Sequence, residues 1–302
     1  MNSQVVSLVL GRLGVAVVTL VIVSFIVFAA TEMLPGDVAQ ILLGQAATPE
    51  AVAGLREAMH LNDPAILRFL RWLGGLLQGD LGTSYANNMP VADLIGGRLA
   101  NTLKLAAVTT MFAVPIALFL GITTAMYRGS LYDRGVNTLV VGVISVPEFM
   151  IATLAVLIFA VWLRWLLRAY AMPVITLSFV ISAQMIRMTR AAVVETLKMP
   201  YVEMALLKGA SRPRMVLRHA LPNAIGPIVN AVALSLSYLL GGVIIVETVF
   251  NYPGIAKLMV DAVATRDLPL IQTCAMIFCL GYLVLITIAD VIAIVSNPRL
   301  RK

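Results

Sequence analysis

Tyr201-Val-Glu-Met-Ala-Leu-Leu-Lys-Gly-Ala210, followed by Leu221-Pro222, is a polar interval in a chain that is otherwise mostly hydrocarbon. Pro200 suits the first position of a helix, where its missing N–H costs nothing. Gly209 suits the left-handed residue just past a helix C-terminus. The interval therefore reads as a short helix with defined ends, set between two long apolar runs. A helix held there presents a surface to something outside the bilayer.

Outward from this interval, composition sets the class. Apolar residues are 60% of the 302 and charged residues 12%, about half the charge of an ordinary soluble domain. Mean hydropathy is +0.95. The apolar residues come in runs, and about 20 of them carry a helix across the hydrocarbon core. In lipid such a run must satisfy its own backbone hydrogen bonds as a helix. Six runs qualify, at residues 13–30, 105–127, 136–163, 172–186, 224–246 and 271–295. Pro115 interrupts the second, and Pro147 with Glu148 the third; the fourth is short and polar at its end. The fold class expected is all-α, a polytopic membrane protein with six transmembrane helices. The first run is longer than a signal-peptide core of about 7–15 residues and reads as an uncleaved anchor.

Lys and Arg asymmetry sets the orientation. With the N-terminus inside, the cytoplasmic side carries Arg128 and Arg134, then Arg187, Arg190, Lys198, Lys208, Arg212, Arg214 and Arg218, then Arg299, Arg301 and Lys302. The other side mixes its charges, with Lys257 and Arg266 against Asp261 and Asp267 in the 251–270 loop; Arg164 and Arg168 run against the rule. Both termini are expected in the cytoplasm. The net charge of +7 is a consequence of that topology, and nothing in it calls for nucleic acid.

Motifs for chemistry are missing. There is no phosphate-binding loop, no H-E-x-x-H and no G-x-S-x-G. Cys274 and Cys279 read as apolar packing within the last run, and His60 and His219 are isolated. No catalytic residue, metal site or bound cofactor is expected, so uphill work would draw on a partner or an ion gradient.

The chain divides into residues 1–30 with the first span, an external helical segment 31–98, and a core 99–302 containing the polar loop 187–222. In the external segment, Thr48 caps a helix from Pro49 with Glu50 in its first turn. Asp63-Pro64 opens a second helix carrying Leu67, Leu70, Trp72, Leu73 and Leu76, with Arg68 and Arg71 outside the stripe and Gly79 ending it. The pair forms either a docking surface or a packed lid.

Glu203, Ala205, Gly209, Leu221 and Pro222 fall in register with the EAA loop of ATP-binding-cassette importer permeases, which this segment resembles; Met204 and His219 depart mildly from the pattern. Five further stretches and the tail resemble the dipeptide/oligopeptide subgroup, in order. They are Met33-Leu-Pro-Gly-Asp37, Gly79-Asp-Leu-Gly-Thr-Ser84, Arg187-Met-Thr-Arg190, Glu247-Thr-Val-Phe-Asn-Tyr-Pro-Gly254, Arg266-Asp-Leu-Pro269 and Asn297-Pro-Arg-Leu-Arg301. The similarity runs nearly end to end and is nearest to the first of the two permeases such systems encode.

The resemblance implies a type I importer permease in a bacterial or archaeal cytoplasmic (inner) membrane. It implies pairing with a second homologous permease, a related chain rather than a second copy. It also implies two ATPase subunits carrying ATP and magnesium, and an extracytoplasmic substrate-binding protein. The EAA helix would seat in an ATPase cleft and couple hydrolysis to rigid-body switching. Tyr201, Met204, Ala205 and Leu207 would offer contact surface, with Ala205 small enough for close approach. Gly209 would turn the chain out of the cleft, ahead of Leu221 and Pro222. Glu203 would either accept hydrogen bonds from the partner or cap its own helix. Short peptides are the cargo favoured; nickel chelates, opines, glutathione and oligosaccharides use the same machinery.

Inside the membrane, Glu148 is either a pathway residue or a buried carboxylate, and Asp290 a helix-pairing or interfacial one. Ser235, Tyr238, Gly241 and Gly242 nominate the fifth span as the pathway lining, although small residues also serve helix packing. A secondary transporter or channel would need internal repeats, and a membrane enzyme a paired constellation; neither is visible.

Overall fold

The computed structural model describes residues 3–33, 35–158 and 170–296. The opposing Arg164 and Arg168, the end of the third run and the tail motif from Asn297 lie outside the described residues. Apart from one isolated bridge between Thr83 and Pro90, the elements there are helical. In chain order they are α1 Ser3–Glu32, α2 Val38–Leu43, a 3-10 turn Gly44–Ala46, α3 Pro49–Ala58, α4 Ala65–Leu77, α5 Val91–Met126, α6 Leu131–Ser145 and α7 Glu148–Ala155. Then follow α8 Ala171–Leu197, α9 Pro200–Leu207, α10 Arg212–Arg214, a π-helical turn Met215–Ala220, α11 Leu221–Val249, α12 Ile255–Thr265 and α13 Leu268–Ser296.

Five helices are long and apolar enough to cross a membrane, and the pair α6 and α7 qualifies as a sixth span only as a bent unit. The third run is therefore a 98° corner rather than an interrupted rod. Val146, the residue before Pro147, is extended at φ −95°, ψ 130°, because the proline ring disfavours helical backbone there. The fourth run also differs from expectation. Its helix starts at Ala171 but reaches Leu197, about three turns beyond the expected end. Thr189, Val193 and Val194 are buried, so this half packs inside protein, where hydropathy is a poor guide to length.

The chain forms two compact units. The first comprises Met1–Leu13, Lys104–Tyr252 and Tyr282–Lys302. Its spine is α8 packed along α11, with α6 against α8 and α7 against both. One core cluster joins Ala125 of α5, Val193 and Val194 of α8, Val216 of the π turn, and Ala224 and Ile228 of α11. The π turn has a local cause. Pro222 offers no N–H, and its ring clashes with the carbonyl four residues back. The backbone widens there, and the Leu221 N–H reaches Val216 O, five residues back. In the same unit Asp290 pairs with Arg12 of α1 at 3.2 Å, the helix-pairing alternative for that carboxylate.

The second unit comprises Gly14–Leu103 and Pro253–Gly281. Val91 and Ile95 of α5 pack with Ile255, Leu258 and Ala262 of α12 and with Leu270, Ile271 and Cys274 of α13. The α3 N-terminus is capped by the Thr48 hydroxyl, which accepts from the Ala51 N–H, and Gly79 sits at φ +81° beyond α4. The buried residue of α4 is Phe69, however. Leu67 and Leu70, expected in the apolar stripe, are exposed. Phe69 wins because Phe25 and Phe28 of α1 stand at ring-centroid distances of 5.7 and 5.4 Å. An aromatic cluster buries more area per residue than a leucine stripe. Arg68 pairs with Glu32 and Arg71 with Asp63 at 3.0 Å.

Candidate coupling helix and polar membrane face

The interval between α8 and α11 is a helix whose ends are set by its own sequence. Pro200 occupies the first turn of α9. At the other end Gly209 is left-handed, with φ +79°. The Gly209 N–H donates to Leu206 O at 2.9 Å, and the Ala210 N–H to Ala205 O at 3.2 Å. This crossed pair is the Schellman closure that satisfies carbonyls otherwise left open.

α9 packs on the π turn and on the end of α8. Val202 and Ala205 form the buried face of α9. Ala205 is buried against its own chain, where its small side chain allows close approach. Tyr201, Met204, Leu206 and Leu207 stand outward, Leu207 with 76% of its surface free. Glu203 is exposed beside them, within the first turn, where a carboxylate complements the positive helix end. Leu206 is an addition to the sequence-based set. At 3.6 residues per turn, with 202 and 205 inward, 203, 204 and 207 point away, and Leu206 lies on the flank, where it is exposed. Leu221 is half-buried against the core cluster beneath, and Pro222 is exposed. Four large apolar side chains clustered on one exposed eight-residue helix are the composition of a contact patch.

A charged pair ties α6 to α8, the helix that leads into α9. Asp133 is 4% exposed at the N-terminal turn of α6. Arg190 of α8 grips it bidentately, Nε to Oδ1 at 2.8 Å and Nη2 to Oδ2 at 2.9 Å. The Gly129 N–H and Asn137 Nδ2 also donate to the carboxylate, at 2.9 and 2.6 Å. Ser130 caps the helix by accepting from the Asp133 N–H at 3.1 Å. Such planar fork pairing fixes orientation as well as distance. The sequence signal available was the capping pattern Ser130-x-x-Asp133, but its partner lies 57 residues away.

The proposed pathway residues divide between two faces of α11. Ser235 and Gly242 are buried, and the Ser235 hydroxyl is spent on Ala231 O at 2.9 Å. Glu148, half-buried, lies over Gly242. A Cβ there would overlap Glu148 Oε1 and lie 2.8 Å from Leu177 Cδ1, so any larger residue would displace those two side-chain ends. Tyr238 and Gly241 are exposed; Asn223, Pro227, Asn230 and Leu234 lead up to them at spacings of three and four, and Thr248 follows seven residues on. Asn223, Asn230, Tyr238 and Thr248 are the polar members of this stripe, and polar groups at membrane depth favour protein or water over lipid tails. The asparagines and Thr248 were legible as a stripe, but the rotation of the helix was not.

The comparisons with known proteins agree with this architecture. A family model described as "Binding-protein-dependent transport system inner membrane component" matches residues 113–302. The corresponding N-terminal model, "Binding-prot-dependent transport system membrane comp, N-term", matches residues 5–106. The chain is similar to proteins named "Glutathione transport system permease protein GsiC" from Salmonella paratyphi A and Escherichia coli K12. It is 37% identical to each over 300 residues, covering 97% of this chain and 98% of the relative. Motif order, helix content and full-length similarity converge: the chain belongs to the binding-protein-dependent transport system inner membrane component family, as a permease of ATP-binding-cassette importers.

Proposed function

We propose that this permease moves short peptides inward, glutathione-like tripeptides among them, driven by ATP hydrolysis on separate subunits. The observation that carries the proposal is the apolar patch Tyr201, Met204, Leu206 and Leu207 on α9. It is closed at both ends by Pro200 and Gly209 and is seated on α8. In water such a patch is unfavourable; covered by the cleft of an ATPase it is a firm handle. Glu203 and Lys208 at its rim supply polar contacts. Movement of the handle reaches the membrane through α8, which Arg190 ties to Asp133 of α6, and through the π turn into α11. The Tyr238 and Gly241 stripe would then line the seam with a second, homologous permease, and Glu148 would border the route. An extracytoplasmic binding protein would deliver cargo, and both termini would lie in the cytoplasm. Peptide cargo, including glutathione, follows from the dipeptide/oligopeptide motifs and from the names of the relatives.

The test is co-purification and reconstitution. The tagged chain in mild detergent should bring ATPase subunits with it. Uptake of a labelled dipeptide and of glutathione in proteoliposomes should require ATP and the binding protein, and should survive an uncoupler. Uptake by the chain alone, without any nucleotide-hydrolysing subunit, would refute the proposal.

A further inference from the structure

Two guanidinium nitrogens in the second unit are buried and have no hydrogen-bond partner: Arg68 Nε and Arg266 Nη1. Leaving a buried charged donor unpaired costs more than the bond itself is worth, so each such group calls for an explanation in a bound water or ion. Both arginines line one cleft of about 130 Å³, together with Thr31, Glu32, Asp37 and Arg56. Its charges do not balance. Glu32 is taken by Arg68 and Asp37 by Arg56. Arg56 also donates from Nε to Asn62 Oδ1 at 3.0 Å. Arg266 makes no ion pair among the described residues, and the lining carries three guanidinium groups against two carboxylates.

Arg266 is also held in place. Its backbone is left-handed, φ +56°. The next residue, Asp267, is fully buried and pinned by the Ser84 hydroxyl and by the Tyr85 N–H at 3.0 Å.

We infer that this cleft is a binding site for one carboxylate group, received by the guanidinium of Arg266, the arginine of the lining that makes no ion pair among the described residues. A monoanion brings the lining to neutrality. Guanidinium forks match carboxylate geometry. The volume is below the 300 Å³ or so of a pocket enclosing a whole small ligand, so the site takes the carboxylate end of a molecule or a free small carboxylate. A cation is excluded by the three arginines.

The test uses the full chain in lipid nanodiscs, without ATPase, nucleotide or flux, so its result is separate from the transport reading. Sodium acetate replaces sodium chloride at constant ionic strength while thermal unfolding is followed. The wild type is expected to show a saturable rise in Tm, about 3 °C at ten times the half-saturating concentration. Arg266→Asn should abolish the rise; asparagine suits left-handed backbone, so the fold is kept. Arg266→Lys should retain a weaker response. Ala-Ala and Ala-Ala-amide form the second arm. A response to the dipeptide but not to its amide identifies a peptide terminus as a ligand, whereas a response to acetate alone identifies a free anion. Either pattern supports the site. An equal acetate response in wild type and Arg266→Asn, or no response in the wild type, overturns it.

Discussion

Replacing Gly209 with valine tests whether the closed end of α9 transmits force. At φ +79° a Cβ costs about 1–2 kcal/mol, with β-branching at the upper end. Nothing lies within 4 Å of the position that Cβ would take, so the penalty is one of backbone conformation and not of packing. The chain has one escape, which is to leave the left-handed region. That breaks the Gly209 and Ala210 bonds to Leu206 and Ala205, each worth about 1 kcal/mol. Both routes cost about 2 kcal/mol, a factor of roughly 30 in the population of the closed helix end. The core beneath, through Val193, Val216 and Ala224, is untouched, so insertion and folding persist. In proteoliposomes containing the complete transporter, Gly209→Val should lower dipeptide uptake about 10- to 30-fold per ATP hydrolysed. Gly209→Ala should lower it about 5-fold, and Gly209→Asn should stay near wild type. A wild-type ratio of uptake to hydrolysis in Gly209→Val would refute the reasoning. Asparagine failing as badly as valine would move the cause from backbone geometry to side-chain volume.

Other perturbations follow from the same geometry. Arg190→Gln strands the buried Asp133 carboxylate and should destabilise the chain by about 3–5 kcal/mol, read as a lower Tm in detergent. The double variant Asp133→Leu with Arg190→Met should recover much of that loss, and single variants with unchanged Tm would remove the pair from the scaffold. Glu148→Gln should leave folding intact and reduce preference for cationic over neutral dipeptides; an unchanged preference would take Glu148 off the route. Burial pushes the Asp37 carboxyl up, but the Arg56 guanidinium and the Ala39 N–H outweigh it and hold Asp37 below the usual carboxylate range. Its contribution to stability is therefore complete above the unfolded value of about 3.9 and lost as pH falls through the lower folded value. Proteolysis of the α2–α3 region should accelerate below about pH 4, and Arg56→Gln should remove that dependence.

What sequence alone determined is what depends on near neighbours along the chain. The membrane class, the run of long helices and the ends of α9 follow from hydropathy, from Pro200 and from Gly209. Each is decided within one or two turns. The cap at Thr48 is local in the same way. Family membership was legible because motifs keep their order whatever the packing.

Tertiary structure alone decided the rest. The far half of α8 is buried at Thr189, Val193 and Val194 and its Arg190 meets a carboxylate 57 residues away, neither of which hydropathy registers. The corner before Pro147 combines a local cause with a direction that the packing of α7 on α8 and α11 sets. The buried face of α4 belongs to Phe69 because Phe25 and Phe28 are there to receive it. Ala205 and Ser235 looked available in sequence and are buried, whereas Tyr238 and Gly241 are not. Periodicity shows that a helix has faces, but which one is covered depends on free energies of burial and pairing with groups distant in sequence, and those exist only once the chain has folded.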